Sequence, residues 1–398
     1  MTSLIVIIFL SYHLREYQLN SKLSVFPLKT QPVISKSGVT CKHGIYTILS
    51  IDGGGARGVI PLYFLSKIEE SIHKPIRLSF DLISGVSVGA LIAAKLSLLD
   101  ARGQPTQIPP GVLNTFVDMT THMFHVPLLR NVLSINGALS PRYSAYTKYE
   151  YLKTLYPKNS AIENLSGHTI LVGFDFNKNN IVSFSNYPGC SSSKTHYPLV
   201  DILSGISSPL GFFQPQILNN AEGGVQYILS DASYSLEDPT LIAYWCGKKI
   251  CSSSQVKYYF ILSLGAGQYP NINKTKRKLY FGIWHWLPAI FISMLDSGHN
   301  EVEKLMKADD NQKLIYIRIN PLLTAGDTYP LTANRATIHH FIKEANTVYQ
   351  ENPELFQCIA IILRTRVLTQ HCQTVLQEYE KSPKKNTAII IHLPAAFS

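Results

Sequence analysis

Tyr46 to Ile51 (YTILSI) is a run of apolar and β-branched residues that stops at Asp52-Gly53-Gly54-Gly55. Too short for a helix and ended by glycine, it predicts a buried strand. Val59 to Ile72 follows, with Leu65, Ile68 and Ile72 at helical spacing on one face. Leu82-Ile83-Ser84 then predicts a second strand, and an Ala/Leu-rich helix runs from Val88 to about Leu98 after a turn. A parallel neighbour strand can be reached only through a crossover, usually helical. This alternation therefore predicts an α/β fold, a mostly parallel central sheet flanked by helices.

The rest of the chain extends that sheet. Thr169 to Phe176 and Ile181 to Phe184 read as strands joined by the polar turn Asn177-Lys178-Asn179-Asn180. Tyr227 to Ser230, Tyr258 to Leu264 and Leu314 to Ile319 read as three more, and Ala333 to Gln350 and Pro353 to Tyr379 as helices. Residues 100–140, richer in Pro and Gly, read as an inserted excursion. No repeat or linker interrupts the pattern. The expected organisation is a leader over 1–40, one α/β domain over 41–325, and a helical extension over 326–398 packed on the same domain. Leu4 to Leu10 is apolar, but the basic start, long apolar core and small-residue cleavage site of a secretory signal are missing or poor. An interfacial anchor fits it better.

Apolar residues make up 45% and charged residues 16% of the 398 positions, which excludes an intrinsically disordered chain. The net charge of +10 favours anionic partners, nucleic acid or acidic lipid, and the apolar fraction leans toward lipid. No nucleic-acid module is recognisable. Six scattered cysteines without a C-x-x-C pair read as free thiols in a reducing compartment, with no zinc site. Leu279 to Leu295 approaches spanning length, yet Gly282, His285 and Pro288 interrupt it. With Lys274, Lys276, Arg277 and Lys278 just ahead and Trp284 and Trp286 within, it reads as a peripheral contact with an anionic membrane surface. The location expected is cytoplasmic or peripheral to a membrane, with non-classical secretion left open; the oligomeric state is not legible.

Gly85-Val86-Ser87-Val88-Gly89 is a G-x-S-x-G between a predicted strand and a predicted helix. A serine on so sharp a turn needs small neighbours at Gly85 and Gly89, and the turn lifts its hydroxyl clear as a nucleophile. Asp52-Gly53-Gly54-Gly55-Ala56-Arg57-Gly58 opens the first helix and bares backbone N–H groups at its positive end. A Walker loop would end in Gly-Lys-Ser/Thr, whereas this loop ends in Gly-Val-Ile. Gly53-x-Gly55-x-x-Gly58 does match a dinucleotide fingerprint formally, but beside a serine elbow an oxyanion hole for acyl transfer is the better reading.

The Asp-Gly-Gly-Gly-x-Arg-Gly loop, followed by Phe80-Asp81-Leu82-Ile83-Ser84-Gly85-Val86-Ser87-Val88-Gly89, resembles the patatin-like phospholipase family. Ile206-Ser207-Ser208-Pro209-Leu210-Gly211-Phe212-Phe213, Leu229-Ser230-Asp231-Ala232-Ser233 and Leu262-Ser263-Leu264-Gly265-Ala266-Gly267 continue the likeness, which spans about Tyr46 to Pro321. The resemblance implies a three-layer patatin-like fold and a lipid acyl hydrolase of phospholipase A type, working through a Ser87–Asp231 dyad. It implies an oxyanion hole at Gly53, Gly54 and Gly55, Arg57 steadying that loop or a phosphate, and no metal or organic cofactor. Two departures stand out: Ala232 replaces the family's glycine, where a positive φ would strain it, and Glu237-Asp238-Pro239 replaces a more usual Asn-Asn-Pro. The alternatives are a catalytically silent lipid-binding relative and a Ser–acid–His hydrolase drawing on His285, His299, His339 or His340. Asp81 reads as structural.

Overall fold

The computed structural model describes residues 44–134, 140–158, 160–193, 195–268, 300–309, 313–324, 334–382 and 389–394, together with 11, 12, 14, 27, 41 and 331. The expected leader, the basic run 274–278, the aromatic stretch 279–295, His285, His299 and the boundary at 325 lie largely or wholly outside them.

Among the described residues nine strands form one sheet: β1 Ile45–Ile51, β2 Leu82–Val86, β3 His168–Asp175, β4 Asn180–Ser185, β5 Gln216–Asn219, β6 Val225–Ser230, β7 Tyr258–Leu264, β8 Leu314–Ile319 and β9 Ile389–His392. The central order β3-β2-β1-β7-β8 is parallel throughout, and β4, β5, β6 and β9 add antiparallel margins. Among the described residues, helices accompany it at α1 Val59–Ile72, α2 Val88–Ser97, α3 Val112–Met123, α4 Leu128–Leu133, α5 Ala145–Leu155, α6 Leu199–Ile206, α7 Thr240–Ile250, α8 Arg335–Glu351, α9 Pro353–Thr365 and α10 Gln370–Lys381.

Strand periodicity makes the three layers. Leu49 and Ile51 of β1 and Phe260, Leu262 and Leu264 of β7 face one core, shared with α1, α2, α8 and α9. The intervening Tyr46, Ile48, Tyr259 and Ile261 face a second core under α7. Both faces being covered, these strands read as continuous apolar runs, as buried parallel strands do.

Three expectations need correction. Residues 100–140 are not a bare excursion, because α3 and α4 occupy part of them. The helix expected over Pro353 to Tyr379 is two, broken where Arg366 adopts φ 58° and restarted at Thr369, whose side chain accepts from the Cys372 N–H. The cysteines are not free: Cys41–Cys251, Cys190–Cys246 and Cys358–Cys372 are disulfides with Cα–Cα distances of 5.6, 5.8 and 5.3 Å. Separations of 210, 56 and 14 residues form no local motif, so only the fold reveals the partners.

Candidate active site

Two strands bring the site together by meeting end to end. β2 lies along one edge of β3, its last pair being Val86 with Val172, and β4 fills the other edge up to Asp175. β6 also pairs with β3, at Phe174 and Asp175. Those residues are already taken on the β4 edge, so β6 enters on the β2 edge, just past the end of β2 and running the opposite way. The residues that follow each strand, Ser87 and Asp231, are thereby driven together, and Ser87 Oγ donates to Asp231 Oδ2 at 2.5 Å.

The serine sits at φ 54°, ψ −126°, a conformation strained for any side-chain-bearing residue. Its glycine neighbours are steric necessities. A Cβ on Gly85 would lie 2.2 Å from the Gly89 carbonyl oxygen, and one on Gly89 would lie 2.3 Å from that of Ile51. The elbow is thus pressed against the end of β1, beside the glycine loop.

Asp231 is buried. Its Oδ1 accepts from the Ser233 N–H at 2.9 Å and from Ser233 Oγ at 2.6 Å. Burial pushes its carboxyl above the ordinary value, against the hydrogen bonds from Ser233 and Ser87 and the charge of Lys148. A carboxylate made more basic in this way is better matched to taking a serine proton. Ala232 is not in the left-handed region, so the expected strain is absent. The Asp231–Ser233 side-chain turn makes the bend with ordinary backbone angles, and the Ala232 methyl fills the core under α7. Ala232→Gly should therefore lower stability by about 1 kcal/mol and give no higher kcat, as read from a urea midpoint and ester turnover.

Lys148, on α5, is a residue that the sequence did not single out. It is fully buried, and its Nζ donates to Ser204 O at 2.7 Å, Ser207 O at 2.9 Å and Ser208 Oγ at 2.5 Å. The two carbonyls belong to the end of α6, where a cation is favourable. Ser208 O in turn accepts from the Asp231 N–H at 3.2 Å and Ser230 Oγ at 2.5 Å. Burial drives the Lys148 ammonium down to about 7, against the charge of Asp231. Lys148→Met should remove a charge that favours the Asp231 carboxylate. Asp231 must be unprotonated to act as base, so the acid limb of kcat/KM should move to higher pH, and Lys148→Arg should move it less. A loss of stability with an unmoved limb would leave Lys148 with a scaffolding role alone.

In the glycine loop, the Gly53 N–H donates to the Glu237 carbonyl at 3.2 Å. It is therefore spent within the protein, which corrects its assignment as an oxyanion donor. A Cβ at Gly53 would meet Ser233 Oγ at 2.8 Å and Ser87 Cβ at 3.2 Å, so this glycine is needed for close packing. Gly54 at φ 134° and Gly55 at φ 58° carry the turn into the 3-10 segment Gly55–Gly58, and the loop's own hydrogen bonds leave their N–H groups over. Arg57 is buried, donating to Gly267 O at 2.9 Å and pairing with Glu237 at 3.3 Å. It steadies the loop and is not presented to a phosphate.

The unusual Glu237-Asp238 pair is thereby explained. Glu237 holds Arg57 and Gly53, while Asp238 Oδ1 accepts from the Thr240 N–H at 2.9 Å at the start of α7. Beneath them Arg318 of β8 pairs with Asp52 at 2.6 Å and Asp238 at 2.9 Å, and donates to Ser263 Oγ at 2.6 Å. Asp81 lies at the far end of β2, pairing with Arg366 at 2.6 Å, and is structural.

A small cleft before Ser87 is lined by Gly55, Val88, Leu91, Met119, Met123 and Phe124, among others. Of the four histidines weighed for a triad, His339 is exposed, and His340 bonds to Thr324 Oγ1 at 2.7 Å and faces Glu344 at 3.3 Å. Among the described residues no histidine is hydrogen-bonded to Ser87 or Asp231, no cluster of His, Cys, Asp and Glu is placed to hold a metal ion, and no helix is long and apolar enough to cross a membrane.

Residues 49–244 match the family model for patatin-like phospholipase. Patatin-like protein 1 of Arabidopsis thaliana is 27% identical over 71% of this chain and 76% of its own length. Patatin-17 of Solanum cardiophyllum is 22% identical over 78% of this chain and 86% of its own. Among solved structures, VipD of Legionella pneumophila covers 77% of this chain and 67% of that one at 13% identity and a TM-score of 0.28, too slight a likeness to bear on fold or chemistry. The matched segment holds the glycine loop, the serine elbow and Asp231, and with its relatives it places the chain among lipid acyl hydrolases in general terms: it belongs to the patatin-like phospholipase family.

Proposed function

We propose that the protein cleaves ester bonds of phospholipids or related lipids through a Ser87–Asp231 dyad. The observation that carries this reading is the direct 2.5 Å hydrogen bond from Ser87 Oγ to Asp231 on a strained elbow. Ser87 attacks the ester carbonyl as Asp231 takes its proton. The N–H groups of Gly54 and Gly55 face the oxyanion, and Asp231 returns the proton to the leaving alcohol. Water then enters, Asp231 takes one of its protons as its oxygen attacks the acyl carbonyl, and breaking of the bond to Ser87 Oγ frees the fatty acid while Asp231 returns the proton to Ser87. Residues 41–325 are the catalytic domain in this reading.

The net charge of +10 supports docking on an anionic bilayer, with salt weakening it. Three disulfides favour an oxidising compartment over the reducing one that the cysteine spacing suggested. The test is a fluorophosphonate, with hydrolysis of a mixed-chain phospholipid in anionic vesicles measured alongside. Labelling of Ser87 together with fatty-acid release is expected. Labelling without release from any lipid ester would turn the protein into a silent lipid binder.

A further inference from the structure

The segment 107–114, which leads into α3, faces α1 and α8 across a groove of about 740 Å³. None of the residues lining it lines the Ser87 cleft, so the two spaces are separate. Pockets that hold a small ligand measure about 300–1,000 Å³. Helical spacing builds two of its walls: Tyr63, Lys67 and Glu70 share one face of α1, and Asn346, Tyr349 and Gln350 share one face of α8.

These walls are fixed by the protein's own bonds. Glu69 Oε1 accepts from the Ile108 N–H at 2.5 Å and its Oε2 from the Ile76 N–H at 2.6 Å, which ties the segment to the end of α1. Pro109 and Pro110 stiffen it further. Where α1 meets α8, Tyr63 OH donates to Asn346 Oδ1 at 2.7 Å, so the Asn346 amide keeps its N–H groups for a ligand. The Tyr63 and Tyr349 rings meet edge to face with centroids 6.4 Å apart.

The lining selects by exclusion. An anion would find the Lys67 ammonium already paired with Glu70 at 2.8 Å, and would face that carboxylate. A hydrocarbon would strip water from the side-chain amides of Gln107, Asn114 and Gln350, which make no hydrogen bond among the described residues. Those amides, Asn346 and the Tyr349 hydroxyl supply donors and acceptors together, beside two aromatic rings. A sugar ring matches both features. Its hydroxyls donate and accept around the rim, and its C–H faces lie on tyrosine.

We propose that this groove is a carbohydrate site, taking a neutral oligosaccharide of about two or three sugar rings. It is distinct from the ester-cleaving centre and does not rest on the Ser87 reading. Fixed walls lower the cost of binding, because little is left to order when the sugar arrives. A free sugar and a glycolipid headgroup present the same rings, and the test separates them.

Lactose, maltotriose and cellotriose are titrated calorimetrically into the full chain, with sialyllactose as the anionic counterpart of lactose. Vesicles of phosphatidylcholine with lactosylceramide, whose chain is amide-linked, form the lipid arm. At least one neutral sugar should bind with a Kd at or below about 1 mM, and sialyllactose should bind more weakly than lactose. Capture by the vesicles alone would instead assign a glycolipid headgroup to the groove. Asn346→Ala and Tyr349→Phe should each weaken binding about fivefold, the loss of one hydrogen bond. Asn346 is exposed and Tyr349 keeps its ring, so circular dichroism and ester turnover should hold in both. The site is overturned if neither free sugar to about 10 mM nor vesicles bind, if sialyllactose binds more tightly than lactose, or if neither variant moves the affinity. Sugar binding without ester turnover would sink the hydrolase and spare the groove, and ester turnover without sugar binding would do the reverse.

Discussion

Ser87→Ala is expected to abolish both ester hydrolysis and fluorophosphonate labelling, with the circular dichroism spectrum unchanged. Loss of a serine nucleophile costs about 10⁶-fold in comparable enzymes. Asp231→Asn should be almost as damaging, at about 10⁴-fold or more. The amide keeps the size of the carboxylate and accepts from Ser233 as before, but it cannot take the serine proton. The diagnostic comparison is with histidine. His339→Ala and His340→Ala should each keep at least about a tenth of wild-type kcat, a barrier change of no more than about 1.4 kcal/mol. A thousandfold fall in either, with a mild Asp231→Asn, would overturn the dyad. Ser87→Ala retaining more than about a hundredth of wild-type activity would remove the nucleophile assignment altogether.

Arg318→Met should have the largest effect on stability, about 3–5 kcal/mol. Burial alone pulls the guanidinium toward losing its proton, but Asp52 and Asp238 outweigh it and hold Arg318 charged well above its ordinary value. Removing the cation leaves two buried carboxylates facing each other. The damage should reach activity, because Asp52 immediately precedes the glycine loop and Asp238 follows the residue whose carbonyl holds the Gly53 N–H. Urea unfolding of Arg318→Met measures the cost, and the triple variant with Asp52→Asn and Asp238→Asn should recover a large part of it. A loss within about 1 kcal/mol for Arg318→Met would show that water or rearrangement satisfies the pair.

The sequence was legible where structure is local. β1, α1, β7 and β8 have apolar runs of the right period bounded by glycine or polar turns, and their observed limits fall within a residue of those read from the chain. The elbow and the loop were readable for the same reason: each is a tight turn whose small residues sit side by side in the chain. What was hidden depends on distant partners. Glu237 looked like an oddity until Arg57, 180 residues earlier, was found against it. Lys148 is one lysine in a helix with weak patterning, and its burial follows from the approach of α6, 56 residues on. One signal for that helix was present: Ser144 caps it by accepting from the Thr147 N–H. Gly53 was misjudged because a bare N–H in the sequence says nothing about the carbonyl that will claim it.

The short junction between β6 and β3 has a dynamic consequence. Asp231 is delivered beside Ser87 by a strand that pairs with β3 at only Phe174 and Asp175 and is otherwise hydrogen-bonded chiefly to the marginal strand β5. The parallel centre of the sheet does not depend on that junction. A sub-global opening that lifts the β5–β6 hairpin would part the proton acceptor from the nucleophile while the rest of the molecule stayed folded. Activity would then vanish at a milder temperature or denaturant concentration than bulk structure, and amide exchange in β6 would run ahead of that in β1 and β7. During synthesis the same geometry postpones function: a nascent chain holds its serine 144 residues before the base it needs, so a lipid-cleaving centre appears only when the hairpin closes.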